Sequence, residues 1–203
     1  MTSLAETAMG CSACPLCETR TKVVFGVGNP ASPLMLVGEG PGANEDATGV
    51  PFVGRAGQLL DECLREAGML RKHVYIANVV KCRATLVEDG RVQNRAPKPA
   101  EISVCVPTWL EKQIAIIKPK VICCLGAPSA STIIHVNFRM MQERGRWFES
   151  RYAPHAIAAL HPAFILRQEG MAYDSARQSL VDVLVAAKDR AKEAKNTPDL
   201  TLF

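Results

Sequence analysis

Leu34-Met35-Leu36-Val37-Gly38-Glu39-Gly40-Pro41-Gly42 is the stretch that decides the fold. Four consecutive apolar residues leave no polar face, so a strand made from them is buried on both sides, as in a parallel sheet covered by helices. The glycine-rich segment after it ends the strand in a turn. Helical spacing follows, with Leu59, Leu60, Cys63, Leu64 and Ala67 on one face and Gly68 suited to the C-terminal stop. The alternation continues. Residues 73–80 read as a second strand, and residues 101–117 as a helix with Val104, Trp109, Leu110, Ile114 and Ile117 on its apolar side. Residues 121–126 read as a third strand, followed by a helix through Ala130 and Ile134. Residues 156–160 make a fourth strand and residues 175–195 a last helix. The expected fold is α/β: a single domain with a central, mostly parallel four-stranded sheet flanked by helices on both faces. Residues 84–99, polar and carrying Gly90, Pro97 and Pro99, read as the one long loop.

Ligands in such folds bind beyond the carboxyl ends of the strands. Residues 39–46, 78–83 and 161–167 all fall there, and their shared placement is the first functional signal.

The chain of 203 residues is long enough for one sizeable core. No apolar run approaches the ~18 residues of a membrane span. The opening Met1-Thr2-Ser3-Leu4-Ala5-Glu6 lacks the basic and apolar regions of a secretory signal, so a cytoplasmic monomer is expected. A net charge of +4 permits nucleic-acid binding without arguing for it. Eight cysteines in a chain without an export signal are expected to be reduced, leaving metal binding, catalysis or core packing to explain them. Cys63, Cys123 and Cys124 fall on apolar periodic positions and read as small core hydrophobes. Cys11-Ser12-Ala13-Cys14-Pro15-Leu16-Cys17 puts three thiols at two-residue gaps, a spacing that lets two thiolates grip one metal or cluster edge. Cys82 and Cys105 stand far away and not as a CxxC pair, which fits a zinc ribbon poorly. Spacing alone leaves iron–sulfur and zinc open.

Four segments taken together resemble the motifs of the iron–sulfur, family-four uracil-DNA glycosylases. Gly38-Glu39-Gly40-Pro41-Gly42 with Glu45-Asp46 resembles the first motif, and Gly49-Val50-Pro51-Phe52-Val53-Gly54 the uracil-stacking segment. Asn78-Val79-Val80-Lys81-Cys82-Arg83 with Asn94-Arg95-Ala96-Pro97 is similar to the central motif, and His161-Pro162-Ala163-Phe164-Ile165-Leu166-Arg167 to the last. Each is weak alone, but their order is specific. The likeness covers nearly the whole chain, with residues 11–17 as a cluster-binding segment and residues 196–203 as a flexible tail. It implies a 4Fe–4S cluster on Cys11, Cys14, Cys82 and Cys105. Cys17 departs from the family pattern and leaves a Cys14–Cys17 pair as the alternative.

The resemblance implies that uracil is extruded from DNA into a pocket and its glycosidic bond hydrolysed. Phe52 would stack on the base. The Asn78 amide, donor and acceptor at once, would pair with uracil O4 and N3–H, a pattern that cytosine reverses. His161 would donate to the anion developing at O2, helped by backbone amides around Gly40. Glu39 and Glu45 are the acidic candidates for activating water, and Glu45 could instead stand against C5 of the base. Ile165 and Leu166 would wedge into the gap left by the base, with Arg167 on a phosphate. Arg55, Lys81, Arg83, Arg95 and Arg167 would form a basic track.

Relatives that crosslink to DNA replace the glycine corresponding to Gly40 with glutamine and carry a histidine in the long loop. Here Gly40 is glycine and residues 84–100 contain no histidine, so turnover is expected. Loss of Asn78 or His161 would favour a noncatalytic iron–sulfur DNA-binding module, and both are present. A nucleotide-binding loop at Gly38–Gly42 would need the Gly-Lys-Ser/Thr absent here. Nothing in the resemblance accounts for residues 86–92. The final Leu200-Thr201-Leu202-Phe203 resembles peptides that dock on the bacterial sliding clamp, with Asp199 where a glutamine is usual; the alternative is that Leu202 and Phe203 pack back on the chain's own surface.

Overall fold

The computed structural model describes residues 1–196. Its strands are β1 (Val27–Gly28), β2 (Leu34–Gly38), β3 (Tyr75–Asn78), β4 (Thr85–Glu88), β5 (Arg91–Asn94), β6 (Val121–Leu125), β7 (Trp147–Ser150) and β8 (Ala153–Ala159). Six of them form one sheet in the order β1-β3-β2-β6-β8-β7. The four expected strands are its parallel centre, β3, β2, β6 and β8. Two antiparallel edge strands, β1 and β7, widen the expected four strands to six.

The central strands are buried on both faces because each apolar run divides between two cores. Met35, Val37, Tyr75, Ala77, Ile122, Cys124, Ala156 and Ala158 join one cluster with Trp109, Leu110 and Ile133. Their neighbours Leu34, Leu36, Ile76, Val121, Cys123, Leu125, Ile157 and Ala159 join the other with Leu60, Leu64, Leu180 and Leu184. This is the two-residue alternation of a strand expressed inside a uniformly apolar sequence. Cys63, Cys123 and Cys124 are fully buried, as core positions should be.

The helix Arg55–Glu66 ends as expected. Gly68 takes φ +71°, its N–H donates to the Arg65 carbonyl, and the Met69 N–H donates to the Leu64 carbonyl, closing a Schellman motif. The helix expected over residues 101–117 is instead Pro99–Cys105 and Glu111–Ile117 joined by a π-turn, Val106–Leu110. Pro107 has no N–H to continue the regular ladder, and the widened turn takes up the defect. The last helix runs Gly170–Asn196, five residues earlier at its start than expected. A short N-terminal helix, Thr2–Met9, was not anticipated.

The loop expected at residues 84–99 is a correction. Residues 85–94 form a β-hairpin, β4 against β5, turned by Asp89 and Gly90 with φ +50° and +71°. Two left-handed residues at Asp-Gly are the signature of a type I′ turn, which matches the twist of the strands it joins. Among the described residues no helix is long and apolar enough to cross a membrane.

Candidate active site and cysteine centre

The first motif leaves β2 at Gly38, the central motif leaves β3 at Asn78, and the last follows β8 at His161. All three line one cavity of about 450 Å³ at the carboxyl end of the sheet, together with Phe52, Asn94, Arg95 and Pro97.

Glycines let these segments close on one another. A Cβ on Gly38 would stand 2.4 Å from Asn78 Oδ1 and 2.6 Å from the Phe52 ring. One on Gly57 would stand 1.8 Å from the Phe52 carbonyl oxygen, so the Phe52 backbone rests directly on the following helix. Phe52 itself holds φ +54°, a costly conformation for an aromatic residue that the surroundings must impose. The Arg71 guanidinium does part of this by donating to the Pro51 and Phe52 carbonyls, and Asp61 pairs with Arg71 at 2.5 Å. Arg71 and Gly57 are supporting residues that the sequence reading missed. The Phe52 ring then lies 5.7 Å from the His161 ring, tilted by 31°.

Asn78 is buried, and its Oδ1 has no hydrogen-bond partner among the described residues. An orphaned buried acceptor is rare and marks a place for a ligand donor or water.

His161 caps the short helix Pro162–Ile165, and the Ala163 N–H donates to its Nδ1 at 3.1 Å. The lone pair is therefore on Nδ1 and the proton of the neutral ring on Nε2, a donor available to the cavity. Burial pulls the imidazole down to about 4; the Arg167 charge adds to this and Glu45 opposes it.

The two carboxylates differ. Glu45 Oε1 accepts from the Val53 and Gly54 N–H groups, both at 2.9 Å, and Oε2 accepts from Gly42 at 3.1 Å. It ties the first motif to the Phe52 segment. Glu39 lines the cavity with no hydrogen bond to its carboxylate among the described residues, and burial raises that carboxyl above its ordinary range. Gly40 is confined by Val80, whose methyl would stand 2.8 Å from a Cβ there.

The basic track is corrected in part. Lys81 is only 1% exposed and its ammonium donates to the Asn78 carbonyl at 2.7 Å, so it cannot reach a phosphate. Arg95 pairs with both oxygens of buried Glu101, at 2.6 and 2.8 Å, and pins the root of the hairpin. Arg83 donates to Asn94 Oδ1 at 2.6 Å. Arg55 lines the cavity and Arg167 stands over the Phe164 ring.

Ile165 is also a correction. The residues after His161 form a helical turn, not an open loop, and that turn points Ile165 into the core, where it is fully buried. It cannot act as a wedge. Leu166 is partly buried against the same cluster.

On the other side of Lys81, Cys11, Cys14, Cys82 and Cys105 line one small void with Arg20 and Trp109. Cys17 lies outside it, in a surface depression with Met9 and Lys22. Three of the four sulfurs accept from N–H donors: Cys11 from Trp109 Nε1 at 3.2 Å, Cys82 from Arg20 at 3.3 Å and Cys105 from the Lys81 backbone at 3.3 Å. Neutral thiols are poor acceptors, and this donor set suits thiolates. No three His, Cys, Asp or Glu side chains among the described residues are gathered closely enough to share one ion. A four-iron cluster, bonding one thiolate at each iron, instead needs four sulfurs around a shared void, and these residues fit it.

The family model of the Uracil DNA glycosylase superfamily matches residues 25–185. The chain is 44% identical over 168 residues to a type-4 uracil-DNA glycosylase of Thermotoga maritima, covering 82% of this chain and 83% of the relative. It is 38% identical over 175 residues to the type-4 enzyme of Pyrobaculum aerophilum (83% and 85%) and 40% over 165 residues to that of Archaeoglobus fulgidus (78% and 79%).

Proposed function

The chain belongs to the uracil DNA glycosylase superfamily, and from that membership we propose that it excises uracil from DNA as a monofunctional N-glycosyl hydrolase of base-excision repair. The observation that carries the reading is the orphaned Oδ1 of buried Asn78 beside the Phe52 ring. Uracil entering the cavity stacks on Phe52, gives its N3–H to Oδ1 and takes a hydrogen bond at O4 from the same amide. Cytosine presents the reverse pattern and leaves two buried groups unpaired, a loss of about 1–3 kcal/mol for each.

As the glycosidic bond breaks, its electron pair passes to uracil and positive charge develops on the deoxyribose. His161, neutral with its proton on Nε2, donates to O2 and stabilises the departing anion without surrendering a full charge. Water adds to the sugar carbon, and its proton goes to a carboxylate. Glu39 suits that task, being without a hydrogen-bond partner among the described residues and made more basic by burial. Glu45 is occupied in holding the loop. Arg55, Arg83 and Arg167 remain as phosphate contacts at the mouth, with Arg95 as the hairpin's anchor and half-buried Leu166 as the apolar residue of the last motif nearest the surface.

Cys11, Cys14, Cys82 and Cys105 would hold a 4Fe–4S cluster. When bound, it would tie the N-terminal segment to the central motif and to the helix Pro99–Cys105. All eight cysteines are free, which suits a reducing compartment, the cytoplasm. A monomer is sufficient, since one chain supplies the whole site. The tail peptide ending at Phe203 lies outside the described residues. Docking of Leu202 and Phe203 on the sliding clamp is tested by deleting residues 199–203, which should abolish clamp capture and leave excision from short oligonucleotides unchanged.

The experiment for the main reading is a panel of oligonucleotides carrying U·G, U·A, single-stranded U, T·G and hypoxanthine. Abasic sites at uracil and none at thymine are the expected result. Uracil left in place in every oligonucleotide would overturn it.

A further inference from the structure

The outer part of the β4–β5 hairpin is left unused by the chemistry above. Its register places Thr85 opposite Asn94, Leu86 opposite Gln93, Val87 opposite Val92 and Glu88 opposite Arg91. Because side chains alternate along a strand, Thr85, Val87, Val92 and Asn94 share one face, and Leu86, Gln93, Glu88 and Arg91 share the other. The first face begins at the cavity: Asn94 lines it. Moving outward, the same face presents Val87 and Val92, which are 71% and 58% exposed. Directly opposed residues bring their Cβ atoms to about 5 Å, so the two valines form a single apolar knob.

The knob stands on a stiff arm. The type I′ turn at Asp89-Gly90 fixes its tip. At its root the Arg95 N–H donates to the Ala84 carbonyl, Arg95 Nε donates to the Thr85 carbonyl, and the Arg95–Glu101 pair anchors both to the following helix. A rigid arm with an uncovered apolar pair, continuous with the rim of a substrate cavity, meets whatever lies beside the bound substrate.

We propose that Val87 and Val92 are the apolar wedge that this chain sets against duplex DNA beside the extruded nucleotide. The inference rests on the reading of the cavity as a uracil-excision site. Extrusion leaves a gap between two base pairs, and an apolar side chain that fills it offsets the lost stacking. Ile165, the wedge expected from the last motif, is buried and unable to do so. The other hairpin face carries the charges Glu88 and Arg91, so the valine face meets bases and sugars and makes no phosphate contact.

The test is the Val87→Ser/Val92→Ser double variant, compared with the unmodified chain in single-turnover excision from duplex and single-stranded uracil oligonucleotides. Both positions are exposed, so melting temperature should not move, and Val87→Ile/Val92→Ile should restore the original behaviour. The expected result is a loss of about tenfold on duplex DNA, excision from single strands within about twofold, and an unchanged dependence of binding on salt concentration. Equal losses on both substrates, or no loss on either, would overturn the inference while leaving uracil excision in place. Absence of uracil release by the unmodified chain would remove the excision reading and this inference with it.

Discussion

The Lys81 ammonium donates to the main-chain carbonyl of Asn78 at 2.7 Å, while the Lys81 backbone N–H donates to Cys105 Sγ at 3.3 Å. One buried residue thus spans the cysteine void and the end of the strand that carries the base-reading amide. Among the described residues no carboxylate pairs with it. Lys81→Met removes a donor from a buried carbonyl, which costs about 1–3 kcal/mol, and removes the cation facing the thiolates. The variant is expected to purify with less iron per chain and to show a raised KM for uracil-DNA. Unchanged iron content and KM would refute the link.

The placement of the cysteines predicts a split outcome. Cys17→Ser should leave iron content near four per chain, the number of a 4Fe–4S cluster. Cys82→Ser and Cys105→Ser should lose the iron and much of the soluble protein. Stoichiometric zinc in the unmodified chain, with no iron, would contradict the assignment.

His161 predicts a pH dependence. Its folded pKa of about 4 lies below the ordinary histidine value, so between pH 6.5 and 4 the unfolded chain binds more protons than the folded one. Stability therefore falls as pH falls through that window and is unaffected above it, by no more than about 3 kcal/mol in total. His161→Gln should weaken this dependence, measured by denaturant titration at pH 7 and pH 5. The same substitution should slow single-turnover excision by roughly two powers of ten with DNA binding retained. A step in the excision rate centred near pH 6.5 that disappears in the variant would show that the imidazole titrates normally.

The two carboxylates should separate by what they lose. Glu45→Gln removes charge from an acceptor of three N–H groups and should lower melting temperature by several degrees, since ~1–2 kcal/mol is at stake. Glu39→Gln breaks no hydrogen bond and should leave melting temperature in place while slowing excision. A variant pair with the reverse pattern would exchange their roles.

How much of this was legible in the sequence follows from how local each signal is. The four central strands were readable because each is a continuous apolar run with a turn after it. The edge strands were not: Val27–Gly28 is two residues long, and Trp147–Ser150 mixes apolar and polar residues, its pairing shifting register near Ser150. The hairpin was missed although Asp89-Gly90 between Val87 and Val92 is a strong local turn signal; the surrounding polar residues masked it. Lys81 read as a DNA contact because a lysine in isolation implies solvent, and only the packing of two sites around it explains its burial. Ile165 misled because the likeness of the last motif says nothing of local geometry, and a single helical turn rotates that side chain into the core. The cavity residues Phe52, Asn78, Glu39 and His161 were all brought together, but the partners that hold them, Arg71 and Gly57, carry no motif of their own.

The central claim is that this chain cleaves uracil from DNA by reading it through Asn78. The most direct test is the amount of free uracil released from a uracil-containing oligonucleotide, by the unmodified chain and by Asn78→Ala, with thymine and cytosine strands as controls. The account predicts several uracils released per chain, no thymine or cytosine, an intact abasic strand, and a loss of two or more powers of ten in the variant. Equal release by the variant, or a covalent protein–DNA adduct in place of the free abasic strand, would contradict it.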